Sequence, residues 1–212
     1  WPYLGEALVT KLSPARRRAL IALMEAQDGR GFVRDILAAS AGTLSDVRDE
    51  AFALTLALGV TATVGALDEA LDRYIAKPSK VSARVRMALR IPAFEMLYLD
   101  TPGHVAVSQG VELVRSQARS AAGLANAVLR RVDEGRAAFF AAMDVSDGER
   151  ELTARARRQG IPVWLACMLD ASLARRGFGG KSLCFNGIAA PTCACMCPGA
   201  DCSGDVSDCL EP

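Results

Sequence analysis

The sequence predicts an all-α fold, in which a helical bundle is followed by a smaller, partly helical C-terminal segment. Apolar residues recur at the i, i+3, i+4 spacing of a buried helix face through most of the chain. No segment shows the alternating apolar and polar pattern of a half-buried strand. The 212 residues are 51% hydrophobic and 23% charged, which supplies enough apolar side chain for a core.

The first predicted helix begins at Ser13-Pro14, because serine caps helix N-termini and proline is favoured at the first helical position. It runs through ARRRALIALMEAQ and ends before Gly29 and Gly31. Four residues of this helix share one face: Leu20, Leu23, Met24 and Gln27. A second helix fits FVRDILAAS.

A third helix is predicted from Ser45, where LSDVRDE supplies acidic residues to the first turn. The run AFALTLALGVTATVGAL, between Glu50 and Asp68, carries no charge. A membrane span needs about 20 predominantly apolar residues, so we expect a buried helix and no membrane association, with a span as the alternative. Gly65 is expected to loosen the chain before a further helix whose apolar face contains Leu67, Leu71, Tyr74 and Ile75.

The segment KPSK is a predicted loop, and Ser82 opens the helix ARVRMALRIPAFEMLYLD. Pro92 should kink or divide that helix, because proline lacks the backbone N–H that a helix interior needs. DTPGH is a predicted turn. The next helix keeps helical spacing at Val107, Val111, Val114 and Ala118, and SAAGLANAVLRRVDEGRAAFFAAM forms another.

A change of composition at DVSDGER predicts a boundary between two units, residues 11–142 and residues 146–212. The second unit contains ELTARARRQ, the break GIP, and a helix with one apolar stripe: Leu165, Leu169 and Leu173. From Gly177 onward the sequence predicts less regular structure.

Asn126 stands in a run, GLANAVLRRV, that is otherwise apolar until it ends in two arginines. An unpaired buried amide costs about 1–3 kcal/mol. If Asn126 is buried, it should therefore hydrogen-bond the backbone of a neighbouring turn. We expect this structural role, with an exposed amide as the alternative.

The stretch TPGHVAVSQGVELVRSQARSAAGLANAVLRRV resembles the signature region of the NusB/RsmB family: a proline, a histidine that opens a helix, A-V, V-E-L, and N-A-V-L-R. Upstream, RDEAFALTLALGVTATVGALDEALDRYI is similar to the family's central helix pair, and VRMALRIPAFEMLYLD to its LRLGxYxxLxLD helix. The resemblance covers about Ser13 to Ala142. It implies a cytoplasmic bundle of six or seven helices that binds RNA.

Two branches of this family are possible for the chain. In the short branch the bundle is a stand-alone antitermination factor that binds leader RNA together with a ribosomal protein. In the long branch it is the N-terminal module of a 16S rRNA cytosine-C5 methyltransferase. RRQGIPVWLACML is similar to the long branch's linker region, which favours that branch. A protein-interaction bundle without RNA affinity is the alternative from another class.

Catalysis is not expected from this chain alone. Methyl transfer needs a Gly-rich loop after a strand to hold S-adenosylmethionine, and a nucleophilic cysteine. No such loop is present, and DCSG lacks the proline and the preceding apolar strand of the family's Pro-Cys motif. We therefore expect no cofactor here, and S-adenosylmethionine only in a parent enzyme.

Basic residues are clustered although the formal net charge is only +1. Lys11 to Arg34 holds six basic and two acidic residues, and Lys77 to Arg90 holds five basic residues and no acidic one. Clusters of this kind attract phosphates, with a solvated face as the alternative. Cations at a helix N-terminus also oppose the helix dipole, which indicates a function for the first cluster. The expected RNA contacts are Arg16, Arg17, Arg18, Lys77, Lys80, Arg84 and Arg86.

The helix rotation distinguishes the three consecutive arginines. If Leu20, Leu23 and Met24 face the core, Arg17 and Arg18 should point outward. Arg16 should lie nearest the buried stripe, since it precedes Leu20 by four residues.

His104 and Asn126 are expected to be structural, with His104 capping or packing rather than acting as a base. Cys167 is expected in the core. The remaining cysteines crowd the tail: Cys184, Cys193, Cys195, Cys197, Cys202 and Cys209. Their C-x-C spacing differs from the C-x₂₋₄-C pairs of zinc sites, so free thiols are expected, with a metal site as the alternative.

Overall fold

The computed structural model describes residues 11–141, 152–154, 156–157 and 160–175. Every regular element in those ranges is helical, which confirms the all-α prediction. The α-helices are α1 (Pro14–Gln27), α2 (Val33–Ala39), α3 (Val47–Asp72), α4 (Ala83–Tyr98), α5 (Gly103–Gln117), α6 (Ala122–Glu134), α7 (Arg136–Ala141) and α8 (Val163–Arg175). Two 3₁₀ turns, Pro78–Lys80 and Arg119–Ala121, connect α3 to α4 and α5 to α6.

Helix α4 is at the centre of the bundle. It packs against α1, α3, α5 and α6, and almost all of its second half is buried. Pro92 does not divide α4, which runs unbroken from Ala83 to Tyr98. The proline ring instead fills the contact with α5, where a Cβ on Gly110 would come within 2.7 Å of Pro92 Cγ. Tertiary burial therefore outweighs the lost helical hydrogen bond.

Helix α3 is one continuous helix, so the expected break at Gly65 is wrong. A glycine inside a helix costs only about 1 kcal/mol, and the burial of Leu67 and Leu71 offsets that cost. The helix is capped by Asp46 rather than by Ser45, because the Asp46 carboxylate accepts a hydrogen bond from the Arg48 N–H at 2.8 Å.

Among the described residues, α3 is also the one helix long and apolar enough to cross a membrane by length and composition. One of its faces packs into the bundle, with Leu56, Val60 and Leu67 at most 1% exposed. The expected burial of this run is therefore confirmed on that face. A core helix meets the same criteria as a membrane span.

Helix α1 begins at Pro14, as predicted, and buries Leu20 and Leu23. Gln27 is exposed, so its placement on the buried face was wrong. The start of α1 is tied to α5 by Gln109, which is 7% exposed. The Gln109 side chain accepts from the Ser13 N–H at 2.8 Å and donates to the Lys11 carbonyl at 3.2 Å.

The described part of the C-terminal segment packs on α3 and α4. The Tyr98 hydroxyl donates to the Arg157 carbonyl at 2.8 Å, and the Arg157 guanidinium pairs with Glu69. Burial raises the pKa of the Tyr98 hydroxyl well above its ordinary value. Gly160, at φ 65°, lies against Thr63. The predicted boundary at DVSDGER lies outside the described residues, as do the side chain of Leu173 and the cysteine-rich tail.

In helix α8, Ala166 is buried and residues close to it in sequence are exposed. Ala166 is 4% exposed, whereas Trp164 and Met168 are 64% and 60% exposed. Cys167 is also exposed, so its expected place in the core is wrong. Adjacent residues differ by about 100° around a helix, so a buried residue can stand between exposed ones.

Candidate nucleic-acid interface

Arg16 is part of the fold. Its guanidinium forms a bidentate pair with Glu95, at 2.9 Å from Nε to Oε1 and 2.5 Å from Nη2 to Oε2. The Glu95 side chain is fully buried, and the guanidinium also lies 5.2 Å from the centre of the Phe52 ring. Phosphate binding by Arg16 would leave a buried carboxylate without its cation, which is costly.

Arg18 does not point into solvent, so its expected orientation is wrong. Its guanidinium donates to the Leu37 carbonyl at 2.9 Å, to Ser40 Oγ at 3.0 Å and to Thr43 Oγ1 at 2.7 Å. It also lies 3.3 Å from the Glu50 carboxylate. The chain between α2 and α3 passes over this side of α1 and supplies these acceptors, so the side chain is only 11% exposed.

Arg17 is the exposed member of the run. Its side chain makes no hydrogen bond or ion pair with any residue that the structure describes. The expected outward orientation therefore holds for Arg17. Its surroundings are mixed in charge, since Glu25 and Asp35 line the same groove between α1 and α2.

In the second cluster, Arg86 is also engaged internally. It lies 2.8 Å from Asp72 and 3.3 Å from Asp68 on α3, and it donates to the Pro78 carbonyl at 3.2 Å. Burial alone would lower the pKa of Arg86, but Asp72 and Asp68 together raise it above its ordinary value. Arg90 pairs with Asp68 at 2.7 Å. These arginines hold α4 against α3.

Lys77, Lys80 and Arg84 are exposed, and none of them pairs with an acid in the described part of the chain. Lys77 and Lys80 border a groove of about 440 Å³ between the α3–α4 and α5–α6 connections, which we call the lysine groove. Its floor is apolar, with Ile75, Val85 and Leu124, and no acidic residue lines it. The lysine groove is therefore positive and partly apolar.

Arg119 adds to this surface and was not foreseen in the sequence. It is exposed in the turn that also carries Ser120, a residue lining the lysine groove. In sequence, Arg119 lies about 40 residues from Lys80, so no local pattern connects the two. The fold brings their segments together, since both connections line the lysine groove.

The two basic clusters lie at opposite ends of α3. Arg18 contacts Glu50, and Arg86 contacts Asp72. These acids are 22 residues apart on one helix, which corresponds to about 33 Å at 1.5 Å per residue. The seven expected RNA contacts therefore do not form a single surface.

His104 and Asn126 are both exposed, and both line a groove between α5 and α6. Asn126 binds no neighbouring turn in the part of the chain that the structure describes, so that interpretation is wrong. Its Oδ1 accepts from Nε of Arg130 at 3.2 Å, one turn along α6. The N-cap residue of α5 is Pro102, and its side chain makes no hydrogen bond to the helix. The carboxylate of Asp133 lies against Gly103 there, where a Cβ would be 1.8 Å from Oδ2.

Within the ranges that the structure describes, no three His, Cys, Asp or Glu side chains are grouped to hold a metal ion. The tail cysteines lie outside those ranges, so their expected state stays a prediction.

The comparison with known proteins agrees with this architecture. The NusB family model matches residues 13–134, which is more than half of the chain. A protein of Xanthomonas campestris pv. campestris named transcription antitermination protein NusB is 35% identical over 106 residues, covering 49% of this chain and 67% of its own length. A protein of the same name from Xanthomonas oryzae pv. oryzae is 35% identical over 106 residues and is covered to 68%. With its helices spanning the matched residues in one bundle, the chain belongs to the NusB family.

Proposed function

We propose that the chain is an RNA-binding domain that acts in transcription antitermination in the cytoplasm and needs no cofactor. The observation that carries this proposal is the lysine groove, where Lys77 and Lys80 are exposed without an acidic partner among the described residues. The exposed Arg84, which also has no acidic partner there, follows them at the start of α4. The names of the relatives support the antitermination role.

The lysine groove suits single-stranded RNA. Unpaired cations attract phosphates by releasing counterions, and single-strand sites combine such cations with a surface that unstacked bases can contact. Here the partly buried Leu124 supplies apolar surface in the groove that Lys77 and Lys80 border. Lys80 lies on a 3₁₀ turn and Lys77 directly precedes it, and the long side chains of both can follow a flexible RNA backbone.

The test is a salt series of fluorescence anisotropy with a labelled single-stranded RNA of leader sequence. The variant combines Lys77→Ala, Lys80→Ala and Arg84→Ala. Each phosphate contact in single strands contributes about 0.7 to the slope of log affinity against log salt. We expect the slope to flatten by about two units, since three contacts are removed.

The matched variant removes equal charge from the other end of α3, through Arg17→Ala, Arg34→Ala and Arg48→Ala. All three are exposed side chains. The proposal predicts a smaller change of slope than in the first variant. If the second variant alone flattens the slope, RNA binds at the N-terminal end of the bundle. If neither variant changes it, the protein-interaction alternative is favoured.

A second candidate is the RNA-binding module of an rRNA methyltransferase. The observation that favours it is the packing of Arg157 and Gly160 on α4 and α3, since RRQGIPVWLACML is similar to the linker of that branch. The described residues have no glycine loop after a strand and so do not fit S-adenosylmethionine. Methyl transfer would belong to a separate domain.

A ribosomal protein distinguishes the two candidates. An antitermination factor should bind leader RNA more tightly when a ribosomal protein partner is added, because the two proteins bind the RNA together. A methyltransferase module should instead prefer a 16S rRNA hairpin, with no effect of that partner. Anisotropy with both RNAs, with and without the ribosomal protein, measures the difference.

A further inference from the structure

A large cavity in the described part of the chain lies away from the lysine groove, between α1 and α2. We call it the α1–α2 groove; it has a volume of about 730 Å³. Its lining is mainly apolar, with Ile21 on α1, Ile36 on α2 and Leu44 after α2. Ile21 is 49% exposed, which is unusual for a large apolar side chain between two helices. This apolar surface has no covering residue in the described part of the chain.

The wall of the α1–α2 groove is fixed by polar contacts. The Arg18 guanidinium donates hydrogen bonds to the hydroxyl groups of Ser40 and Thr43. The Glu50 carboxylate accepts from the Gly42 N–H at 2.6 Å, and Gly42 turns the chain at φ 79°. The groove is therefore formed before anything binds, which lowers the entropy cost of binding.

The charges lie at opposite ends of the α1–α2 groove. Arg17, Ile21 and Glu25 follow one another at four-residue spacing on α1, which spans about 12 Å. Arg17 marks the positive end, without a partner among the described residues. Glu25 and Asp35 mark the other end, where Glu25 lies 3.3 Å from the exposed Arg30. An exposed ion pair of that kind contributes little to the free energy of unfolding.

We propose that the α1–α2 groove binds an amphipathic helix of a partner protein, with an apolar stripe against Ile21 and Ile36, a carboxylate facing Arg17 and a cation facing Asp35. Helices bind such grooves through apolar residues at i, i+3 or i+4, and i+7, and a helix of three turns, about 16 Å long, is long enough to span the 12 Å between the charged ends. RNA fits poorly, because Glu25 and Asp35 would repel its phosphates. This proposal does not depend on RNA binding at the lysine groove.

The probe is a displayed library of three-turn helical peptides, selected on the full chain and counter-selected on the Ile21→Ser variant. We expect the enriched peptides to share an apolar stripe, an acidic residue at one end and a basic residue at the other. The best peptide is then synthesised with a fluorescent label, and its binding is measured by anisotropy. Ile21→Ser should weaken binding by about tenfold or more.

The control is Val47→Ser, which removes an exposed β-branched apolar side chain outside the groove. It should leave the affinity for the peptide unchanged. Arg17→Gln should lower the affinity for the peptide that carries the acidic residue. It should not lower the affinity for a second peptide in which glutamine replaces that acidic residue. Ile21→Ser and Arg17→Gln should both leave the slope of log RNA affinity against log salt unchanged. A negative result with the peptide is therefore distinguishable from a failure of RNA binding at the lysine groove.

Four results would overturn the proposal: no enrichment of peptides, equal effects of Ile21→Ser and Val47→Ser, displacement of the peptide by RNA, or self-association. Self-association is measured by sedimentation. If Ile21→Ser abolishes a dimer of the wild type, the occupant is a second copy of the chain rather than a partner helix.

Discussion

Arg18 connects three segments of the chain, because its acceptors belong to α2, to the loop after it and to α3. Arg18→Ala would leave the Glu50 carboxylate and the Leu37 carbonyl without this donor. We expect a loss of about 1–3 kcal/mol in the free energy of unfolding. Arg17→Ala should change it by no more than about 0.5 kcal/mol, since that side chain is exposed. Urea denaturation of both variants tests this, and equal losses would contradict it.

The different environments of these arginines show how far helical geometry predicts side chains. The rotation of α1 correctly placed Arg16 beside the buried stripe and Arg17 outward. It could not place Arg18, whose acceptors lie between 19 and 32 residues away in sequence. Only the course of the loop over α1 decides that environment, and no local pattern encodes it.

At Asn126 the structure predicts a small effect instead of the loss expected for a buried amide. The side chain is exposed and bonds only Arg130 among the described residues, four residues along the helix. Pairs of this kind contribute about 0.2–0.5 kcal/mol, and alanine has the better helix propensity. Asn126→Ala should therefore change the free energy of unfolding by less than about 0.5 kcal/mol. A loss above about 1 kcal/mol in urea denaturation would show a second partner.

At the level of the helices, Gly59 and Gly65 on α3 have opposite surroundings. A Cβ at Gly59 would lie 2.0 Å from Cζ of Phe94, whereas one at Gly65 meets nothing within 4 Å. Gly59→Ala should force α3 and α4 apart and cost about 1–3 kcal/mol, as overpacked cores do. Gly65→Ala should stabilise the protein by up to about 1 kcal/mol, because alanine favours helix. Thermal denaturation of the two variants should give shifts of opposite sign.

The same helices show where local signals were sufficient. Ser13-Pro14 and Ser82 marked the starts of α1 and α4. The Ser82 side chain caps α4 by accepting from the Val85 N–H, whereas the Ser13 side chain makes no capping bond to α1. Gly65 was wrongly expected to break α3, and Pro92, expected to kink or divide its helix, does not divide α4. Their local cost is about 1–3 kcal/mol, and the burial of α3 and α4 on both sides of these residues exceeds it.

For the molecule as a whole, the candidate site was predicted only in part. Lys77, Lys80 and Arg84 were named from their spacing, and the structure leaves them exposed. Arg119 was missed, and the separation of the two basic clusters was not foreseen. Both depend on the order in which helices pack, which the periodicity of single helices does not determine.

The dependence of the bundle on the C-terminal segment gives the last prediction. Nearly all of the contiguous core lies between Ala15 and Phe139, with Ala154 the one later member among the described residues. A fragment of residues 11–141 should therefore fold cooperatively with a helical spectrum. The fragment would lack Gly160, which packs on Thr63, and the Arg157 carbonyl, which accepts from the Tyr98 hydroxyl. We expect this loss to lower the free energy of unfolding by about 1–3 kcal/mol.

Circular dichroism through thermal denaturation measures this cost against the full chain. Arg157→Ala in the full chain is the matched variant, because it removes the pairing with Glu69 but keeps the backbone carbonyl that accepts from Tyr98. Both partners of that ion pair are about one third exposed, so the variant should lose less than about 1 kcal/mol. If the fragment fails to fold, residues 142–212 belong to the same cooperative unit as the bundle, and the predicted boundary near residue 146 is not a domain boundary.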